Sequence, residues 1–200
     1  MRPENQSRRS FIKGIIASGA VASTGGLMFI SGCSDNSSVP ASGSVERLIS
    51  LNINGSVRRV DVLPNETLAM TLRNKLGLTG TKIACDRGEC GACCVLLDGV
   101  SFNSCSMLSH SLTGKSITTI EGIASPAGEL HPVQTAMIEE LAPQCGFCTS
   151  GQVISAVALL DQNPNPTRDE AREAMAGNLC RCGAYDHYLN AILRAAGEIA

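Results

Sequence analysis

The spacing of the cysteines is the feature that most constrains this chain. Ten of its 200 residues are cysteine and none is tryptophan. In the stretch "CDRGECGACCVLLDGVSFNSC", three cysteines follow the pattern C-x4-C-x2-C, and a fourth comes after eleven intervening residues. Small domains without large aromatic side chains have thin cores, and they usually need disulfides, metals or partner subunits for stability. We therefore expect the thiols to bind metals or to pair with each other.

This spacing is the one by which plant-type [2Fe–2S] clusters are held. Gly88 and Gly91 lie between the ligands, where the absence of a side chain lets backbone N–H groups approach the cluster sulfides. Structural zinc sites favour C-x2-4-C pairs, and a Rieske centre needs histidines, which the stretch lacks. We predict that a [2Fe–2S] cluster is bound by Cys85, Cys90, Cys93 and Cys105.

The surrounding pattern predicts a compact α+β domain over residues 45–123. Two β-prone runs meet at Asn-Gly (54–55), and a second hairpin turns at Asp-Gly (98–99). The leucines of "NETLAMTLRNKLG" recur every four residues and indicate one amphipathic helix, and "KSITTIEGI" indicates a last strand. Cys94 follows Cys93 in an extended chain, so we expect it on the opposite face as a small buried residue.

After a linker at residues 124–129, the pattern of residues 130–200 predicts a small bundle of four helices. Pro132 stands at a favoured first helical position with His131 shaping the start, and Thr167 with Glu170 forms a capping box. The four remaining thiols fall in two loops between helices, as C-x2-C and C-x-C. We predict a second four-thiolate site at one end of the bundle, formed by Cys145, Cys148, Cys180 and Cys182.

The first 32 residues predict a twin-arginine signal peptide and therefore a periplasmic protein. Arg8 and Arg9 precede Phe-Ile-Lys and a weakly apolar run, whose five glycines disfavour a permanent membrane helix. Such a segment is excluded from the mature fold. The alternative is a chance Arg-Arg pair before a membrane anchor.

The apolar run stops at "ISGC", residues 30–33, which is similar to a bacterial lipobox. This interpretation makes Cys33 the lipidated first residue of the mature protein and residues 33–44 a flexible tether to a membrane. The alternative is cleavage after Ala41, which leaves Cys33 in the discarded segment.

Disulfides are the rival to metal binding, because exported proteins meet an oxidising compartment. Twin-arginine cargo, however, crosses the membrane folded, so its cofactors are inserted in the reducing cytosol. Two groups of four thiols, with Cys33 and Cys94 standing apart, also suit clusters better than disulfide pairs.

Three stretches, "CDRGECGACCVLLDG", "QCGFCTSGQ" and "GNLCRCGAY", resemble the signatures of the iron–sulfur subunit of the xanthine dehydrogenase/aldehyde oxidase family, the molybdenum hydroxylases. The resemblance covers residues 45–197. It implies an α+β chain with a β-grasp ferredoxin domain followed by a four-helix-bundle domain, each with one [2Fe–2S] cluster. It also implies that the second cluster lies nearest the molybdopterin of a partner subunit, with Gln144 and Cys148 close to the pterin. The chain departs from the family pattern at Cys94, at Ser150 and in "CRCGAY", but at no cluster ligand.

These features predict an electron-transfer subunit without catalytic residues of its own. The expected partners are a large molybdopterin-binding subunit that oxidises an aldehyde or an N-heterocycle, and a flavin-binding subunit or c-type cytochrome that accepts electrons. A net charge of −2 without a basic stripe excludes nucleic-acid binding. One alternative is a free-standing ferredoxin-like electron carrier. The other is a structural or binding lipoprotein whose cysteines form disulfide bonds.

Overall fold

The computed structural model describes residues 47–199. The predicted signal peptide with Arg8 and Arg9, and the tether that begins at Cys33, lie outside the described residues. The periplasmic location and the lipid anchor therefore stay predictions.

A five-stranded mixed sheet forms the first part of the described chain. The strands are β1 (Arg47–Ile53), β2 (Ser56–Val62), β3 (Cys94–Leu97), β4 (Val100–Asn103) and β5 (Ser116–Thr118). Their order in the sheet is β2-β1-β5-β3-β4, with β5 parallel to β1 and antiparallel to β3. Both hairpins turn where the sequence predicts, because Asn54-Gly55 and Asp98-Gly99 all have positive φ.

One helical segment covers this sheet, but it is not the regular amphipathic helix that the sequence predicts. It begins as α1 (Leu68–Met70), capped by the Thr67 side chain, and continues as a π-helical turn over Thr71–Lys75. Leu68 and Leu72 are fully buried against the sheet, whereas the wider turn leaves Leu76 only half-buried. The four-residue spacing of the leucines therefore predicted the buried face of this segment correctly. It did not predict the π-helical turn, which is wider than a regular α-helical turn.

Four helices form the second part, as predicted. They are α2 (Pro132–Glu139), α3 (Thr149–Gln162), α4 (Arg168–Ala174) and α5 (Tyr185–Ile199). His131 caps α2 through a 3.2 Å bond from the Val133 N–H to its Nδ1, and Thr167 with Glu170 caps α4 as a capping box. Among residues 47–199, no helix is both long and apolar enough to cross a membrane.

Strand β3 is shared by two hydrophobic cores. Val95 and Leu97 pack with the leucines of the helical segment under the sheet, whereas Cys94 and Leu96 pack among the helices. Cys93 instead packs with Cys105. The prediction that Cys94 is a small buried residue is therefore confirmed. The two neighbouring sulfurs still share a contact, since Cys93 Sγ lies 3.9 Å and Cys94 Sγ 3.4 Å from Asn103 Oδ1.

Glycines allow the helices to approach the cysteine-rich loop closely. A Cβ on Gly151, in the first turn of α3, would stand 2.0 Å from the carbonyl oxygen of Gly91. A Cβ on Gly91 would stand 2.5 Å from the Asn178 side chain and 2.6 Å from the Gly177 carbonyl. Gly91 was predicted to let backbone N–H groups approach a cluster, and the lack of a side chain also leaves room for the helical part of the chain beside it. Its positive φ of 71° is a second reason for glycine at this position.

Candidate metal centres

The first group of thiols lies where a long loop meets the end of β4. Cys85, Cys90 and Cys93 belong to the loop that precedes β3, and Cys105 lies in a 3-10 turn directly after β4. The thiols contact each other in pairs, Cys85 with Cys90 and Cys93 with Cys105. We call this group of four the ferredoxin quartet.

Backbone N–H groups point at the sulfur atoms of this quartet. Gly88 donates to Cys105 Sγ over 3.3 Å, and Glu89 donates to Cys85 Sγ over 3.4 Å. The N–H of Arg87 does most to lower the pKa of Cys85, to about 7, while burial and the neighbouring Cys93 raise the pKa of Cys105 to about 11. Donors aimed at sulfur are the arrangement that stabilises an iron–thiolate cluster.

Asn103 holds this loop in place, and the sequence analysis missed it. Its Nδ2 donates to the Gly88 carbonyl over 2.7 Å, and its Oδ1 lies 3.4 Å from Cys94 Sγ. The side chain thus ties the end of β4 to the glycine whose N–H faces Cys105. No local signal marks this role, because Asn103 and Gly88 are 15 residues apart.

The second group of thiols lies at one end of the helices, where α3 and α5 begin. Cys148 directly precedes α3, and the loop before α5 carries Cys180 and Cys182. Here too the thiols contact in pairs, Cys145 with Cys182 and Cys148 with Cys180. The first pair is exposed and the second is buried. We call this group of four the helical quartet.

The local environment shifts the pKa values of the thiols of the helical quartet in different directions. The N–H of Phe147 and the contact with Cys182 lower the pKa of Cys145. Burial raises the pKa of Cys148. Burial also opposes ionisation of Cys180, but the Ala184 N–H and the Cys148 thiol outweigh it and lower the pKa of Cys180.

Both tyrosines of the chain reach the buried pair of this quartet. The Tyr188 hydroxyl lies 3.6 Å from Cys148 Sγ and 2.9 Å from Thr149 Oγ1. The Tyr185 oxygen accepts a 3.0 Å bond from the Cys180 N–H. Neither tyrosine was predicted to be a site residue, although the chain has no other tyrosine.

The two quartets meet through the main chain. The N–H of Leu179, which precedes Cys180, donates to the Cys90 carbonyl over 3.0 Å, and Asn178 Nδ2 donates to the Gly91 carbonyl over 3.3 Å. A cavity of about 370 Å³ is lined by Cys90 from one quartet and by Cys145, Cys148 and Cys180 from the other. The fold therefore brings both groups of thiols to one region.

Pairs of thiols fit a two-iron cluster, since each iron takes two thiolates and shares two sulfides with the other iron. In the described part of the chain no three His, Cys, Asp or Glu side chains surround one point as a single ion requires. The nine cysteines within residues 47–199 are free thiols. Gln144 is exposed beside Cys145, and its role near a pterin stays a prediction.

Two family models match the chain in succession. Residues 51–116 match a 2Fe-2S iron-sulfur cluster binding domain, and residues 119–193 match a [2Fe-2S] binding domain. The chain thus carries two [2Fe–2S]-binding domains, one for each quartet. The predicted order of a sheet-based domain followed by a helical one is confirmed.

Known proteins of similar sequence and structure are subunits or chains of oxidoreductases and dehydrogenases. The aldehyde oxidoreductase iron-sulfur-binding subunit of Escherichia coli K12 is 45% identical over 179 residues, covering 81% of this chain and 78% of the relative. The small FeS subunit of nicotinate dehydrogenase from Eubacterium barkeri is 44% identical over 137 residues, which cover 68% of this chain and 87% of that relative. A chain of quinoline 2-oxidoreductase from Pseudomonas putida 86 superposes with a TM-score of 0.75 at 43% identity, covering 78% of this chain and 97% of that one.

Proposed function

Because the chain belongs to the family of iron–sulfur subunits of the molybdenum hydroxylases, we propose that it carries electrons from the molybdopterin of a large partner subunit to an external acceptor. A [2Fe–2S] cluster, when bound, takes up and releases one electron at a time. The observation that carries the proposal is the meeting of the two quartets at Leu179 and Cys90. Two redox sites joined in this way suit a relay within one chain.

The helical quartet is the proposed entry point for electrons. Cys145 and Cys182 are exposed next to the exposed Gln144, so a partner's cofactor can approach them from solvent. Two apolar side chains beside them, Phe147 and Leu179, are about half exposed at 47% and 54%, and the exposed Arg181 lines the same cavity. An exposed apolar patch around a redox site favours a fixed protein partner. The ferredoxin quartet then passes electrons onward.

The substrate class and the electron acceptor are proposed from what is known of the related proteins. The relatives are named as oxidoreductases or dehydrogenases of aldehyde, nicotinate and quinoline, so we propose that the partner subunit oxidises an aldehyde or an N-heterocycle. A flavin-binding subunit or a c-type cytochrome is the proposed acceptor. The Arg8-Arg9 segment supports a periplasmic complex, and Cys33 supports its attachment to a membrane.

A free-standing ferredoxin-like carrier is the alternative function. A carrier needs one cluster and a polar surface, whereas this chain has two cluster-binding domains and an apolar patch beside one of them. Purification of the tagged full chain from its native host separates the two functions. We expect about four irons and four acid-labile sulfides per chain, together with a large subunit that contains molybdenum. Iron and sulfide without molybdenum or a large subunit would favour the carrier.

A further inference from the structure

We propose that the phenol of Tyr188 sets the reduction potential of the second cluster by donating a hydrogen bond to the sulfur of Cys148. This inference rests on the proposed function, because it takes Cys148 as a cluster ligand. It assigns Tyr188 a tuning role on this cluster and gives it no part in substrate chemistry.

The geometry places the phenol next to one ligand sulfur. Tyr188 lies in the first turn of α5, held by a 3.1 Å backbone bond to Ala184, and Cys148 lies just before α3. The hydroxyl of Tyr188 stands 3.6 Å from Cys148 Sγ, within reach of a hydrogen bond to sulfur. Tyr188 is 2% exposed and Cys148 is 8% exposed, so water has little access to compete for this bond.

Cluster binding fixes the direction of the bond. A thiolate bound to iron has no proton and can only accept, so the phenol is the donor. The Thr149 hydroxyl, 2.9 Å from the phenol oxygen, can then donate to that oxygen. Thr149, Tyr188 and Cys148 thus form a directed chain that ends on the ligand sulfur.

A hydrogen bond to a ligand sulfur acts on the redox equilibrium. Reduction adds one negative charge to the cluster and its thiolates, so a donor stabilises the reduced state more than the oxidised state. The bond from Tyr188 therefore raises the potential of the second cluster. The Tyr188 hydroxyl bonds to a sulfur of the helical quartet, so we expect it to act on the second cluster alone. A raised potential at the entry cluster favours its uptake of electrons from the partner subunit.

The test is a redox titration of the purified complex, followed by electron paramagnetic resonance. Tyr188→Phe removes only the hydroxyl, and we expect the midpoint of one signal to fall while the other stays in place. At fixed potential the ratio of reduced to oxidised second cluster should drop by about tenfold, which is about 59 mV for one electron. Ser155→Ala is the matched control, because it removes another buried hydroxyl whose 3.2 Å partner is Ser101 and not a thiol. Equal midpoints in the wild type and Tyr188→Phe, or an equal fall in Ser155→Ala, would overturn the proposal.

A second measurement does not depend on the folding of Tyr188→Phe. In a Tyr185→Phe background, Tyr188 is the last tyrosine of the chain, so 3-fluorotyrosine labels this position alone within the chain, and the unlabelled Tyr185→Phe protein is the reference. Ring fluorination strengthens the phenol as a donor, and we expect the midpoint of the second cluster to rise on labelling. No rise would contradict the hydrogen bond. A Cys148→Ser protein that keeps both wild-type signals would instead contradict the ligand assignment, so the two failures are distinguishable.

Discussion

The backbone N–H of Leu179 donates a 3.0 Å hydrogen bond to the carbonyl oxygen of Cys90. Leu179 precedes a thiol of the helical quartet, and Cys90 belongs to the ferredoxin quartet. Covalent bonds and one hydrogen bond therefore connect the two predicted cluster sites. The bond uses only main-chain atoms, so it depends on how closely the two loops approach and not on the side chain at position 179.

Gly151→Ala should weaken this approach. The added Cβ would stand 2.0 Å from the Gly91 carbonyl oxygen. Because that oxygen belongs to the backbone, relieving the clash requires a shift of the main chain. Overpacking of this kind costs about 1–3 kcal/mol. We expect urea unfolding of the iron-loaded protein to show a lower midpoint.

Gly197→Ala is the matched control for that variant. Gly197 lies in α5, and a Cβ there meets nothing within 4 Å. Alanine is favoured over glycine within a helix by about 0.5–1 kcal/mol, so stability should stay level or rise. A Gly151→Ala protein as stable as the wild type would show that the contact between α3 and the Gly91 loop is looser than the structure has it.

Cys94→Ala should leave both clusters in place. Cys94 packs with the helical core, whereas Cys93 packs with Cys105, and Cys94 Sγ lies 3.4 Å from Asn103 Oδ1 and 3.9 Å from Asn178 Nδ2. The loss of one buried sulfur should lower the free energy of unfolding by about 1 kcal/mol. Electron paramagnetic resonance of the reduced protein should keep both signals, and the disappearance of either signal would make Cys94 a ligand.

Sequence reasoning succeeded where the determining contacts are local. The hairpin turns at Asn54-Gly55 and Asp98-Gly99, and the cap at Thr167, depend on neighbours a few residues away. The first [2Fe–2S]-binding domain was predicted for the same reason, because its cysteine spacing is a local pattern, whereas the [2Fe–2S] cluster of the second domain was implied by the family resemblance.

Contacts between distant segments could not be predicted in this way. The Tyr188 hydroxyl meets Cys148 from 40 residues away, and Asn178 meets Gly91 from 87 residues away. The packing of Asn178 against Gly91 was not predicted, because this segment comes from the other half of the chain. Such contacts depend on how α3 packs against β3 and against α5, and no spacing within one segment encodes that packing.

Changing both Arg8 and Arg9 to lysine should strand the protein in the cytoplasm with its clusters assembled. A targeting signal is read by the export machinery as an address, and it contributes nothing to the mature fold. Cell fractionation with iron analysis of the cytoplasmic protein measures this. Normal export of the double variant would refute the twin-arginine interpretation.

The mature N-terminus tests the proposed lipid anchor. If Cys33 is acylated, the chain starts there, and its several acyl chains should hold the complex at a membrane, since stable anchoring takes more than one chain. Mass spectrometry of the protein from membrane and soluble fractions should then show an acylated Cys33. An unmodified start after Ala41, in the soluble fraction, would support the alternative cleavage.

The electron paramagnetic resonance of the reduced Cys182→Ser protein, compared with the wild type, tests the central claim most directly. The wild type should show two distinct [2Fe–2S] signals. Cys182→Ser should weaken or lose one signal and loosen the helical domain, because metal binding contributes folding free energy. Cys85→Ser should affect the other signal. Two unchanged signals in Cys182→Ser, or one signal in the wild type, would contradict the account of two clusters on separate quartets.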